Sequence, residues 1–360
     1  MFSREDTKIF KGVAIILMVY HHLFYFPERI GYEVSYETIG QIAGVNVTYW
    51  LALIGNVCLA MFLFLGGYGT YLSCEKTDKI CSVIKQKTFN LYQIYWKVLI
   101  PFAVIFWAKG WLNFALSGRD VFLNLMALKV SFCAEWWFLT PYLLLMICYP
   151  PFHLFYRKYR HLKADILILF IIDGLVWEQY HIQENTSLVH FRDDLWYENA
   201  KRVMQQMPAF VLGCFFAKYN LLNKLIEVFL KYKISWLIGA EYLILWMVIR
   251  CLANDIINYP DKIVVYDSFW MPIMAVMVWG VVRLKYAVWL KQLLRYIGQY
   301  STVIWLTHTL FAYSLCKKLI FYPKYPIFIV AETILICILT AKILDFGYSL
   351  IRRPFRGRLH

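Results

Sequence analysis

Residues 49–73 read Tyr49-Trp-Leu-Ala-Leu-Ile-Gly-Asn-Val-Cys-Leu-Ala-Met-Phe-Leu-Phe-Leu-Gly-Gly-Tyr-Gly-Thr-Tyr-Leu-Ser73, with no Asp, Glu, Lys or Arg. A helix crosses the hydrocarbon core of a bilayer with about 20 mostly apolar residues, and this stretch is long enough to do so. Working outward, comparable runs recur at 11–27, 94–109, 136–154, 165–178, 204–217, 234–251, 268–283, 297–315 and 326–350. Apolar residues make up 61% of the 360, charged residues only 17%, and mean hydropathy is +0.54. A soluble domain is about half apolar and about a quarter charged. The solvent of this chain is therefore largely lipid, which excludes a disordered chain, a disulfide-stapled secreted module and an ordinary cytosolic enzyme. No run shows the short alternating pattern of a membrane β-barrel. The reading is an all-α integral membrane protein, a bundle of about ten transmembrane helices, with residues 1–360 as a single domain.

Charge placement gives the orientation. With a cytoplasmic N-terminus, the inside segments are 1–12, 75–93, 154–164, 217–233, 283–296 and the tail. They hold 23 Lys and Arg against about 12 in the outside segments, which carry most of the acids. That bias is the positive-inside pattern and predicts both termini in the cytoplasm. It also accounts for the net charge of +14 through anionic headgroups rather than nucleic acid. The Arg352–Arg358 cluster reads as a topology anchor. The nine cysteines include no C-x-x-C pair, and neither a disulfide framework nor a zinc site is indicated. The first apolar run contains two His and no small-residue cleavage site, so it reads as a retained span rather than a signal peptide.

Polar groups inside a bilayer are costly and need a reason. Lys11 and His22 are 11 residues apart, about three turns plus 20°, so they share one helix face about 16 Å apart along the axis. His21 is rotated about 80–100° from that face. Two readings stand for the His21-His22 pair: packed side chains bonded to a neighbouring helix, or reactive imidazoles. His308, in the ninth run, falls at a matching depth and is placed to meet His22, as a structural or a functional group. Glu135-Trp136-Trp137 opens the fourth run, where the tryptophans suit an interfacial belt and Glu135 an edge position. Gly66, Gly67 and Gly69 permit either close helix packing or a cavity wall. No phosphate loop, dinucleotide fingerprint, zinc-protease motif or hydrolase nucleophile elbow is present.

The segment Lys11-Gly-Val-Ala-Ile-Ile-Leu-Met-Val-Tyr-His21-His22-Leu resembles the first-span signature of the membrane acyltransferase 3 family, a basic residue followed ten residues later by His. Phe62 to Gly69 is similar to that family's Phe-rich second-span segment, Trp136-Trp137-Phe138-Leu139 to its WFL motif, and Pro208 to Gly213 to its Pro-Phe-Leu-Gly segment. Ile297 to Ser301 and Ile304 to His308 are similar to its late Gly-Tyr-Ser and Leu-His motif. The matches keep their order from residue 11 to about 310. Lys11 stands where the family often has Arg, and Gly66 where Ser is common. Only Lys85 and Lys87 stand for an Arg-rich segment.

The resemblance implies a membrane O-acyltransferase that moves an acyl group, acetyl before succinyl, from cytoplasmic acyl-CoA to a hydroxyl of an envelope glycan. It implies a bacterial plasma membrane, acyl-CoA as co-substrate rather than a resident cofactor, a carbohydrate acceptor and no nucleic-acid partner. On that reading Lys11, Lys85 and Lys87 hold the CoA phosphates, and His22 is the general base. His308 and Glu135 join it in the catalytic set, while Trp136, Trp137 and Tyr68 line the substrate site. A covalent acyl-histidine relay stays open beside direct transfer. The rival from another class is a secondary transporter or glycan exporter, although paired Gly/Pro-broken spans and an internal repeat are not found.

Overall fold

The computed structural model describes residues 1–42, 44–111, 117–158, 161–185, 195–232, 236–257 and 263–356, with side chains at all of these except 177, 180–185, 236–240, 251, 253–257, 263–266 and 351–356. The Arg352–Arg358 side chains and residues 186–194 of the acidic outside segment therefore lie outside the described residues. The first helix, α1 (Arg4–Phe24), starts at a capping box. Ser3 Oγ accepts from the Asp6 amide at 3.2 Å, and the Asp6 carboxylate accepts from the Ser3 amide at 2.8 Å. A short α2 (Pro27–Ile30) and the two-stranded hairpin β1 (Gln41–Ile42) and β2 (Val45–Asn46) follow. The run at 49–73 folds as α3 (Val47–Gly55), capped by Asn46, and α4 (Cys58–Cys74). Then come α5 (Ile80–Ala108), α6 (Gly118–Leu125), a 3-10 turn at Ala134–Phe138 and α7 (Leu139–Lys158).

The second half is α8 (Leu162–Asn185), α9 (Leu195–Lys218), α10 (Leu221–Lys231), α11 (Trp236–Ile257), α12 (Ile263–Val281), α13 (Val288–Gln299), α14 (Ser301–Leu310), a π-turn at Phe311–Leu315, α15 (Lys317–Ile320) and α16 (Pro326–Arg356). Each of the ten apolar runs lies largely on helix. Among the described residues, five helical segments are long and apolar enough to cross a membrane: Arg4–Phe24, Val47–Cys74, Ile80–Ala108, Ala134–Lys158 and Pro326–Leu350. The pair α9 and α10, bent by 69°, makes a sixth if it is one span. The other runs sit on helices that are shorter, broken or more charged; α8, for example, carries Lys163, Asp165, Asp173 and Glu178.

Glycines set the closest helix crossings. A Cβ on Gly67 would lie 1.9 Å from the Phe210 carbonyl oxygen, and one on Gly213 would lie 2.1 Å from that of Phe64. These two positions clamp α4 to α9. Gly12 and Gly298 do the same for α1 and α13, where a Cβ would fall 2.1 Å from Leu294 O and 1.8 Å from Lys8 O. With no hydrophobic drive between helices in lipid, such backbone contacts are a main source of association. Among the described residues, the fully buried Asp and Arg side chains are paired. Arg250 forks onto Asp267 at 3.0 Å and donates to Leu53 O at 2.5 Å. Lys218 meets Asp165 at 2.5 Å, beside the Tyr219 hydroxyl at 2.6 Å. None of these four charges stood out in the sequence.

Candidate active site

The helix α1 presents Lys11, Met18 and His22 along one stripe. Lys11 and Met18 line a cavity of about 300 Å³ whose other walls include Lys87 on α5, Tyr142 on α7 and Trp305 on α14. Lys11 is half-buried, and its ammonium has no hydrogen-bond or ion-pair partner among the described residues. Lys87 donates to Gly69 O at 3.1 Å and Thr70 Oγ1 at 3.4 Å. Two cations thus sit in a small, otherwise largely apolar space, an arrangement that fits an anionic ligand with an apolar extension.

One turn beyond Met18 on α1, and one turn beyond Trp305 on α14, two imidazoles meet. His22 Nδ1 lies 2.7 Å from His308 Nε2, with the ring planes within 6° of parallel. The partners of His308 fix the tautomers. Its Nδ1 lies 3.0 Å from Ile304 O and 2.8 Å from Trp305 O, and only an N–H can serve two carbonyls. In the neutral ring, His308 Nε2 then carries a lone pair and accepts from His22 Nδ1–H. His22 Nε2 is left as a lone pair with no partner among the described residues, on a half-buried residue, while His308 is fully buried. A base whose other nitrogen is held by a fixed partner is the arrangement of a positioned general base. The Tyr313 hydroxyl adds a hydrogen bond to the His22 carbonyl, one of the unsatisfied acceptors at the end of α1.

The other residues singled out from sequence take different places. His21 faces away, donating from Nδ1 to Ala52 O at 2.8 Å and stacking on Tyr25 at 4.9 Å. Glu135 accepts from Arg29 at 2.8 Å and from the Cys133 thiol at 3.3 Å, and Cys133 also lies 3.5 Å from Thr309 Oγ1, a neighbour of His308. Glu135 therefore sits beside the pair without bonding to it. Burial pushes the Cys133 thiol well above its usual range. Trp136 is fully buried and donates to Leu306 O at 2.9 Å, a fastening for α14 rather than an interfacial belt. Trp137 lines a separate pocket under Arg202, 5.5 Å over its ring. Tyr68 packs edge-on against Phe2 in the core and does not line the cavity. Lys85 is exposed and lies off the cavity wall. The residues that sequence reasoning missed are Met18, Tyr142 and Trp305, because Met and aromatics inside apolar runs read as core.

The acyltransferase domain family matches residues 7–342, nearly the whole chain and every residue of the cavity and the His pair. The chain belongs to the acyltransferase 3 family. Membership makes it a membrane acyltransferase, in accord with its apolar helices. Neither a curated protein nor a solved structure matches it. Within an acyltransferase 3 protein, the stripe Lys11-Met18-His22 spans the distance from a cationic cavity to a basic nitrogen.

Proposed function

We propose that the protein transfers an acyl group, acetyl in the first instance, from acyl-CoA to a hydroxyl of a cell-envelope or exported glycan, with His22 as general base. The observation that carries the reading is the hydrogen-bonded His22–His308 pair one turn beyond a cavity holding Lys11 and Lys87. The CoA phosphates meet the two ammonium groups, and the pantetheine arm runs along α1 past Met18. That delivers the thioester to His22, about 16 Å from Lys11 by the helical rise. His22 Nε2 takes the proton of the acceptor hydroxyl as the oxygen bonds to the thioester carbon. The C–S bond then breaks, and the proton passes from Nε2 to the leaving sulfur, giving ester and free CoA thiol. Throughout, His308 Nε2 accepts from His22 Nδ1–H and so supports the transient imidazolium. General base assistance contributes about 10²–10⁴-fold.

The accompanying arrangement is a ten-span bundle in a bacterial plasma membrane, with both termini and the Lys11 end of α1 in the cytoplasm where acyl-CoA is made. The test uses the purified protein in nanodiscs. Calorimetric titration with acetyl-CoA reads binding, and thiol release in the presence of acceptor reads transfer. Lys11→Ala is expected to weaken acetyl-CoA binding, and His22→Ala to spare it while abolishing transfer. A folded His22→Ala protein that transfers at the wild-type rate overturns the assignment.

A further inference from the structure

A second opening lies at the other end of α1. The cationic cavity reaches only to Met18, short of His22. The Tyr313 hydroxyl bonds to the His22 carbonyl, which points along the helix axis away from that cavity. Tyr313 is also a wall of an open cleft of about 760 Å³, with Trp111, Cys316, Lys317, Lys318 and Glu33 around it. The cleft is shaped by the π-turn at Phe311–Leu315, closed by the Cys316 amide onto Phe311 O at 2.9 Å. Such turns recur at functional sites because they re-aim side chains. The cleft thus adjoins the His22 end of α1 through Tyr313, while the cationic cavity lies towards its Lys11 end.

The chemistry of the cleft is specific. Lys317 is mostly enclosed and only reaches Glu33 at 4.0 Å, the outer limit of an ion pair, with the Glu33 carboxylate largely in solvent. Lys318 is exposed and has no ion-pair partner among the described residues. Lys109 stands 4.7 Å over the Trp111 ring. Two lysines and one loosely held carboxylate line the cleft, and the Lys109 ammonium stands beside its Trp111, so the cleft carries net positive charge. Trp111 and Tyr313 add two aromatic faces. A volume of this size falls within the range of small-molecule sites, about 300–1,000 Å³.

We propose that this cleft receives the acceptor, and that the acceptor is an acidic saccharide. Its acid group is held by Lys317 and Lys318, a sugar ring lies against Trp111, and a hydroxyl is presented towards His22. The inference rests on the acyltransferase reading for its consequence, but its binding claim stands alone. Lysines near a membrane surface also anchor to lipid phosphate. The enclosed position of Lys317, inside the cleft rather than turned to lipid, favours the sugar.

The test compares 4-nitrophenyl β-D-glucuronide with the neutral 4-nitrophenyl β-D-glucoside, both binding to the full chain in zwitterionic nanodiscs without acetyl-CoA. The expected result is an affinity about tenfold higher for the glucuronide, the size of two partly solvated charge contacts. Lys317→Gln with Lys318→Gln removes that preference, and Trp111→Ala weakens both sugars. Raising the salt from low ionic strength to about 0.5 M also removes the preference, and needs no variant should the double substitution fail to fold. Equal affinity for the two sugars overturns the proposal. So does a preference that survives the lysine variants, or no binding of either sugar at millimolar concentration. Loss of copurified anionic phospholipid from the double variant, without any sugar preference, assigns the lysines to lipid and overturns it too. Acetyl-CoA titrated into the same samples reports on the acyltransferase reading separately, so either can fail while the other stands.

Discussion

One helix, α1, shows two kinds of surface side by side. The stripe with Lys11, Met18 and His22 faces a cavity and a second imidazole. The flanks are consumed by packing: Gly12 touches the α13 backbone at Leu294, and His21 donates to Ala52 O, an unsatisfied carbonyl at the end of α3. His21 and His22 have the same chemistry and adjacent numbers, yet a rotation of about 100° gives one a structural acceptor and the other a basic partner. In an apolar bundle, what a polar side chain does is decided by which neighbour its face meets. The largest expected effect tests that division. His22→Ala lowers transfer by about 10²–10⁴-fold with the fold intact. His21→Ala leaves the transfer rate of the folded protein within a few-fold but costs about 1–3 kcal/mol of stability, because a buried carbonyl loses its donor. Rates normalised to folded protein, together with thermal midpoints in detergent, separate the two. A rate collapse in both variants would erase the distinction between the faces.

Next in size are the packing flanks. Gly298→Ala places a Cβ 1.8 Å from the Lys8 carbonyl, a backbone atom that cannot swing aside. The expected cost is at least about 1–3 kcal/mol from separating α13 and α1. Gly69→Ala, where a Cβ meets nothing within 4 Å, is expected to be neutral. Melting curves for the pair check this, and equal midpoints would show that the α1–α13 contact is not what holds the bundle.

His308→Gln sharpens the comparison from the other side of the hydrogen bond. Its Nε2 is the acceptor that orients His22, and losing a hydrogen bond to a group that becomes charged costs about 1.5–3 kcal/mol. Transfer is expected to fall by about 10–150-fold while the KM for acetyl-CoA stays put, read from steady-state thiol release. A change in KM alone would make His308 a wall of the binding cavity instead.

Much of this was legible in the sequence, and the parts that were not have physical reasons. Hydropathy alone finds the helical runs, because each is long relative to a turn. The shared face of Lys11 and His22 follows from the 3.6-residue period, and the meeting of His22 with His308 from matched depth. The three glycines were ambiguous between packing and cavity, and the structure divides them: Gly67 packs on α9, whereas Gly66 lines the cavity against Tyr142. Trp136 looked interfacial because it opens an apolar run beside Glu135. Only the neighbouring helix, invisible to one-dimensional periodicity, supplies the Leu306 carbonyl that buries its N–H. Arg250 and Asp267 lie at the ends of separate apolar runs, so their pairing depends on how α11 and α12 come together.

The smallest effect is a contrast within α5. Lys85 and Lys87 are two residues apart, about 200° around a helix, so they cannot both face one cavity. Lys87 lines it and Lys85 points to solvent. Together with Lys11, this makes a graded series for acyl-CoA affinity. Lys11→Ala removes an unpaired ammonium from a confined space and is expected to weaken binding about tenfold or more, in the range of a charge-assisted contact. Lys87→Ala is expected to cost less, because that ammonium already shares its donors with Gly69 O and Thr70 Oγ1. Lys85→Ala is expected to change affinity less than about twofold at physiological salt, where a solvated charge is screened within about 8 Å. Calorimetry on the three variants orders them. If Lys85 ranked with Lys11, the phosphates would lie on the outer surface of α5, and the ligand would then have no continuous path along the Lys11-Met18-His22 stripe to the proposed base.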